Sequence, residues 1–409
     1  MNSFSTVGID RQAIAQRQLN IKNKIRSNPL KWNGQFSPQL VEVLLGKFAR
    51  STDIVLDPFV GSGTVLLEAS KRGNTAFGSE INPAAYILSN LYSFVNLPQN
   101  LRKSSISNIE KSINEIFPSP LFATMKRPIE DKNGLKRSLR HLLEQDNNKR
   151  EVDLINALII LLDLYQKNIS EQKVFATWGR IKHLVNTLPY SSSLAKVFHT
   201  DARRIPLPRQ SVDLVITSPP YINVFNYHQQ YRASAEFLNW NILNAAKSEI
   251  GSNRKHRGNR FLTVIQYCLD LAQCLAELQR LCKQDSKLIF VIGRLSTVRG
   301  TPFYNGEILA EVFLRSFEVS LDMRQERVFK NRFGQEIFED ILHFSFRDLR
   351  QHVNANQLDS ARQVAEEVLI SALPQSTADT RKDIESALMK LRLVKPSPIY
   401  HTLGNLEAS

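Results

Sequence analysis

Cysteine is scarce in this chain. It has three in 409 residues, Cys268, Cys274 and Cys282, close together but without the spacing of a metal-binding set. An odd count in so long a chain argues against a disulfide framework and for a reducing compartment. The expected arrangement is three small buried residues on or near one helix, and no metal centre is expected. Long apolar runs are also missing. Nothing approaches about 18 consecutive apolar residues, so no membrane-spanning helix is expected. The first stretch, "MNSFSTVGIDRQAIAQRQLNIKNKIRSN", is polar and basic with no apolar run, so a secretory signal is not expected; a cytoplasmic protein follows. Acidic residues are in deficit, 39 against 53 Lys and Arg, for a net charge of +14. That surplus points to a polyanionic partner, most simply nucleic acid. No internal repeat or low-complexity segment is present.

Enough apolar material remains for an ordinary core, at 42% hydrophobic and 9% aromatic. The length suits one large domain with insertions, or two domains. "DIVLD" (53–57) reads as a buried parallel strand closing on an acid, and "TVLLEASKRG" (64–73) as a helix with a glycine stop. "NTAFGSE" (74–80) is a second strand, and "NPAAYILSNLYSFVN" (82–96) a second helix with Asn82 as cap and Pro83 in its first turn. Residues 99–194 change character to helical periodicity, as in "VDLINALIILLDLYQ", and read as a helical insertion. Strand patterns return in "LAKVFHTDARRIPLP" and "SVDLVITSPPY", followed by a long amphipathic helix from about Phe261 to Lys283 and the buried strand "SKLIFVIG". "FEVSLDMRQERVFK" and "EIFEDILHFSF" suit a final antiparallel pair, and from about Asp348 a charged helical tail is expected. The alternation predicts an α/β fold with a mostly parallel sheet. It divides into 1–98 and 195–347 as the catalytic domain, 99–194 as the insertion and 348–409 as the tail.

"DPFVGSGT" (57–64) falls between the first strand and its helix, where open α/β sheets bind ligands. Gly61 and Gly63 permit a tight turn and a close backbone approach, and the N–H groups opening the next helix can meet a polar or anionic ligand. A lone GxG is weak, and the lysine of a phosphate loop and the third glycine of a dinucleotide fingerprint are both absent. Glu80 strengthens the pattern, because an acid closing the next strand can accept from both ribose hydroxyls. Asp201, after the third strand, could take an adenine amine by similar logic. The alternative is a tight turn with solvated acids.

"SPPY" (218–221) ends another strand. Two prolines lock φ and remove N–H groups, which fixes the direction of the backbone carbonyls and of Tyr221. A carbonyl and a hydroxyl can accept two hydrogen bonds from an –NH2 group on a planar ring while the tyrosine stacks on that ring. Such acceptance frees a lone pair otherwise delocalised into the ring, and holding the amine near a donor lowers the barrier further.

With "DPFVGSGT" and "TSPPY" both in place, the chain resembles the S-adenosylmethionine-dependent amino-methyltransferases of DNA. "NGQFSPQLVEVLL" (33–45) looks like the family's other cofactor motif and "EINP" like the motif ending the second strand; the likeness covers roughly 33–98 and 195–347. It implies a Rossmann-like, seven-stranded sheet with helices on both faces. It implies that Phe36, Ser37 and Pro38 close over the methionine end, and that Asp57, Pro58, Phe59, Gly61, Ser62, Gly63 and Thr64 cradle S-adenosylmethionine. Glu80 would hold its ribose and Asp201 its adenine, while Ser218, Pro219, Pro220 and Tyr221 would receive a flipped-out base. Family members carry Asp, Asn or Ser before PPY, and the serine form most often accompanies N4-cytosine methylation. N6-adenine methylation is the alternative; RNA methylation and a catalytically inactive DNA-binding protein stand further off. The partner implied is double-stranded DNA, with a separate restriction endonuclease in a restriction–modification pair. Tyr227, His228, Tyr231 and Arg232 in "NVFNYHQQYR" could line the pocket mouth. Lys247, Arg254, Lys255, Arg257 and Arg260 in "KSEIGSNRKHRGNR" suit phosphates or guanine edges. The insertion, with help from 233–260, is the expected recognition part; the competing expectation is that it only packs against the core or another protein.

Overall fold

The computed structural model describes residues 3–21, 25–117, 132–166, 169–222, 226–252, 256–330, 334–349 and 355–401. Among these, β1 (Val55–Asp57), β2 (Ala76–Ser79), β3 (Ala195–Phe198), β4 (Val212–Thr217), β5 (Cys282–Gly293), β8 (Val319–Lys330) and β9 (Glu336–Phe346) form one sheet of order β3-β2-β1-β4-β5-β9-β8. The first five strands are mutually parallel, and β9 runs antiparallel to both β5 and β8. This is the mostly parallel, Rossmann-like sheet expected. Strand order reverses between β1 and β4, and in such sheets that crevice, beyond the carboxyl ends, is where ligands sit. A hairpin of β6 (Leu295–Val298) and β7 (Thr301–Tyr304) stands apart.

The helices of eight residues or more are α1 (Pro38–Phe48), α2 (Thr64–Lys71), α3 (Pro83–Asn90), α4 (Gln99–Ile116), α5 (Lys132–Glu144), α6 (Lys149–Leu162), α7 (Glu171–Thr187), α8 (Leu262–Leu281), α9 (Asn305–Ser316), α10 (Ala355–Ala372) and α11 (Ala378–Met389). Alternate strand residues feed two cores, because successive side chains point to opposite faces. Val55, Leu214, Ile216 and Ile289 join α1–α7 on one face. Leu56, Val215, Leu288 and Phe290 join α8–α11 on the other. The insertion therefore shares a continuous core with the sheet. Arg102, 2% exposed, ties its two ends by donating to the carbonyls of Val95, Leu97, Leu188 and Pro189.

Local chemistry sets several boundaries. Asn82 caps α3 as expected, its Oδ1 accepting from the Ala84 and Ala85 N–H groups, with Pro83 following. The helix does not run on to Asn96; it tightens into a 3-10 segment over Leu91–Asn96. The hairpin and α9 carry no signal recognised in the sequence. The expected amphipathic helix, α8, is buried on nearly every side, because α10 from the tail covers what would have been its wet face. After α11 the tail makes one 3-10 turn over Leu391–Leu393 and then stops being helical, and residues 394–401 return to the carboxyl end of β3. Cys268, Cys274 and Cys282 are buried, and burial pushes each thiol up, Cys282 to about 12. Among the described residues no helix is long and apolar enough to cross a membrane.

Candidate active site

β1 ends on Asp57, 2% exposed, whose Oδ1 accepts the Phe59 N–H at 3.0 Å and the Thr217 hydroxyl at 2.6 Å. Burial pushes this carboxyl up to about 7 against those bonds. Thr217 closes β4 immediately before Ser218, so its hydroxyl ties the two motif turns together across the β1–β4 crevice. The glycine turn between β1 and α2 needs left-handed backbone at Gly61 (φ 51°) and Gly63 (φ 92°). At Gly63 even the space is taken, since a Cβ there would stand 2.5 Å from Tyr92 Cδ2.

Glu80 lies just past β2. Its Oε2 accepts the Gly61 N–H at 3.0 Å and its Oε1 the Asn82 N–H at 2.8 Å. Burial lifts it to about 7, with the charges of Asp57 and Glu249 adding to the rise. One lone pair on each oxygen is left for hydroxyl donors. Asn82 Nδ2, at the wall of the same cleft, is a buried donor without a partner among the described residues. Such an orphan costs about 1–3 kcal/mol, which a ligand acceptor would remove. These residues fit a ribosyl cofactor.

The cleft holds about 890 Å³ of empty space, mouth included. Of the residues singled out in the sequence, Phe36, Asp57, Pro58, Phe59, Gly61, Ser62, Thr64, Glu80, Asp201, Ser218, Pro220 and Tyr227 line it together. Ser37, Pro38, Gly63, Pro219 and Tyr221 flank these lining residues in sequence and are not themselves among them. Pro38 is buried in the first turn of α1. The Tyr221 ring packs on Gly293, where a Cβ would stand 2.8 Å from its Cε2, and its hydroxyl is 3.3 Å from Ser218 Oγ; burial pushes that phenol up. The Pro220 carbonyl accepts from the Tyr267 hydroxyl at 3.0 Å. Among the described residues the Pro219 carbonyl takes no hydrogen bond.

A strap over residues 28–36 roofs the cleft. Thr64 Oγ1 donates to Asn28 Oδ1 at 3.0 Å, Asn28 Nδ2 to the Phe36 carbonyl at 2.7 Å, and Gln35 Nε2 to Ser62 Oγ at 2.5 Å. Tyr227 and Tyr231 do not stand open at the mouth. Both rings stack on Trp32, at 6.3 and 6.4 Å, and the Tyr231 hydroxyl donates to the Lys31 carbonyl at 3.1 Å.

Two expectations, for Asp201 and His228, need correction. Asp201, 2% exposed, has no lone pair left for an adenine amine. Oδ1 accepts the Arg203 N–H and Nε, and Oδ2 accepts Arg203 Nη2 and the Tyr400 N–H at 2.8 Å. His228 is not a mouth residue but buried, its Nδ1 2.7 Å from Glu249 Oε2. Arg232 is paired with Glu236 at 2.7 Å. Lys247, Arg257 and Arg260 are exposed; Arg254 and Lys255 lie outside the described residues. Sequence reasoning missed Trp32, Thr217 and Glu249 as site residues and treated Asn82 only as a cap. The threonine of TSPPY and the tryptophan just before "NGQF" were visible signals; Glu249 had none. Among the described residues no group of three or more His, Cys, Asp or Glu could hold a metal ion.

Comparison with known proteins bears on this arrangement. The family model described as DNA methylase matches residues 13–90. The type II methyltransferase M.BsoBI of Geobacillus stearothermophilus is 25% identical over 271 residues, 53% of either chain. M.MvaI of Kocuria varians, also a type II methyltransferase, is 23% identical over 339 residues, 63% of this chain and 73% of its own. The chain spans about half the length of the first of these relatives. Among solved structures, a SAM-dependent methyltransferase from Methanosarcina mazei aligns over 74% of this chain and 96% of its own, at 13% identity and a TM-score of 0.32, too low to argue from. The DNA methylase model thus falls on the N-terminal strands, and the chain is similar to type II methyltransferases over half its length or more.

Proposed function

We propose that the protein is a site-specific DNA methyltransferase that modifies the exocyclic N4 amine of a cytosine extruded from the duplex. The observation that carries this reading is one shared cleft. Ser218 and Pro220 line it together with Asp57, Gly61 and Glu80, and the Thr217 hydroxyl just before Ser218 is bonded to Asp57.

S-adenosylmethionine, when bound, supplies a methyl group on a sulfonium sulfur. Glu80 accepts from its ribose hydroxyls, Gly61 lets the backbone approach, and Phe36 with the strap covers the methionine end. Asp57, Glu80 and Glu249 surround the cleft with carboxylates, a field that favours a cation. Ser218 Oγ and the Pro219 carbonyl accept the two N–H bonds of the target amine, drawing its lone pair out of ring conjugation. Tyr221, fixed against Gly293, offers its ring to the base. Pro38, Gly63 and Pro220 hold backbone in place, and Asp201 supports the floor of the adenine end without bonding it.

Extruding the base costs a few kcal/mol; Lys247, Arg257 and Arg260, with Arg254 and Lys255, hold the phosphates that repay it. Ser218 favours cytosine over adenine. The relatives' designation as type II methyltransferases supports a cytoplasmic partner of a separate restriction endonuclease. Incubation with methyl-labelled S-adenosylmethionine and mixed-sequence duplex, then hydrolysis to nucleosides, tests the reading. Label is expected in N4-methylcytosine. Label in N6-methyladenine would replace the target base; label on a ring carbon, or none in DNA, would end the proposal.

A further inference from the structure

A second cleft, of about 1350 Å³ with its mouth included, opens between the strap and the helical insertion. Trp32, Asn33 and Gln35 line both clefts, so the strap is a partition with the methyl-transfer cleft on one side and this one on the other. The far wall comes from the end of α6 and from α7. Both helices are firmly placed: Asn148 and Glu151 form a capping box on α6, Ser170 caps α7, and both bury an apolar face in the sheet's own core. A site built on such elements is held rigidly.

The charge in this cleft is unbalanced. Among the described residues, Lys31, Lys173 and Arg180 line it against a single carboxylate, Asp163. Among the described residues neither Lys173 nor Arg180 has a carboxylate within salt-bridge distance. Lys173 Nζ donates to the Leu162 carbonyl at 3.0 Å and to Gln166 Oε1, and Arg180 Nη2 to Thr177 Oγ1 at 3.2 Å. Burial lowers the Lys173 ammonium; Asp163 opposes that, and the charge of Arg180 adds to it. Two cations that repel each other beside low-dielectric walls gain from an anion between them. Leu161, Ile181 and Leu184 beside these cations suit the apolar faces of sugars more than a small free anion.

We propose that this second cleft binds the sugar–phosphate backbone of the DNA strand flanking the extruded base, with Lys31, Lys173 and Arg180 each meeting a phosphate, which makes the helical insertion a substrate-holding wall. The inference rests on the reading that the protein methylates DNA. Phosphate contacts of this kind fix register and carry no sequence information, so specificity is read elsewhere.

The test is binding of labelled duplex over a range of salt to the full chain, its Lys173→Gln/Arg180→Gln variant and its Lys31→Gln variant. Affinity for S-adenosylhomocysteine and the unfolding midpoint are measured alongside. Each lost phosphate contact flattens the slope of log affinity against log salt by about 0.9. The double variant is expected to lose about 1.8 of slope and at least tenfold in DNA affinity at low salt, with cofactor affinity within twofold. Lys31→Gln removes an exposed side chain, disturbs no fold contact, and is expected to lose about 0.9. DNA affinity and slope unchanged in the Lys31 variant and in a folded double variant would overturn the inference while wild-type methylation stands. No methylation of DNA by the wild-type chain would instead overturn the reading beneath it.

Discussion

Replacing either glycine of the turn by alanine separates two physical requirements that the sequence presents as one motif. At Gly63, φ 92° and ψ 23° lie in the left-handed region, where a Cβ costs about 1–2 kcal/mol. That Cβ would also stand 2.5 Å from Tyr92 Cδ2, 2.8 Å from Cε2 and 3.1 Å from Ser89 Cβ. Tyr92 is 2% exposed and cannot swing away, so overpacking adds about 1–3 kcal/mol. At Gly61, φ is 51° and the nearest atom to a Cβ is Trp32 Cδ1 at 3.4 Å, which leaves the backbone penalty of about 1–2 kcal/mol alone. Urea unfolding is therefore expected to find Gly63→Ala destabilised by about 2–5 kcal/mol, and by about 1–3 kcal/mol more than Gly61→Ala. In cofactor titrations the order should reverse relative to stability, because a methyl at Gly61 faces the cleft beneath Trp32, whereas one at Gly63 faces the core. Equal stabilities for the two variants, within about 0.5 kcal/mol, would show that Tyr92 yields and that the steric half of the reasoning is wrong.

Two further outcomes follow. Asp57 and Glu80 have folded-state values raised to about 7 by burial, so their protonated forms favour folding: ligand-free stability should be greatest below about pH 4 from these groups and fall as pH rises to about 7. Cofactor affinity should climb through the same upper range as Glu80 ionises, and a pH-independent affinity between about 5 and 8 would remove Glu80 from ribose binding. Asp201→Asn should damage stability before function, because it breaks a buried pair with Arg203, 2.7 Å away, that also anchors Tyr400, a loss of about 3–5 kcal/mol. A stable variant with sharply weakened cofactor binding would restore Asp201 to direct contact with the adenine.

Where chemistry was local, it was legible. A glycine pair after a strand-end acid, an Asn-Pro helix start and a diproline corner each act within a few residues, and a parallel sheet must bring strand ends to one edge, so the meeting of Gly61, Glu80 and Ser218 in one cleft could be anticipated. What escaped depends on partners far along the chain. Nothing in "DLVIT" says that Thr217 will donate to Asp57; that takes the β1–β4 pairing, in which Val55 meets Leu214. The periodicity of α8 marks one apolar face, and only the arrival of α10 explains why the opposite face is buried too. Asp201 is the sharpest case. It and Glu80 are both acids just past a parallel strand, indistinguishable by pattern, yet Glu80 keeps lone pairs facing the cleft while Asp201 is saturated by Arg203 and by the backbone of Tyr400. A strand-end carboxylate is thus a ligand or a strut according to whether some later segment reaches it first. Here the segment after α11 reached one of the two, which is why a motif can name the cleft without naming every residue that works in it.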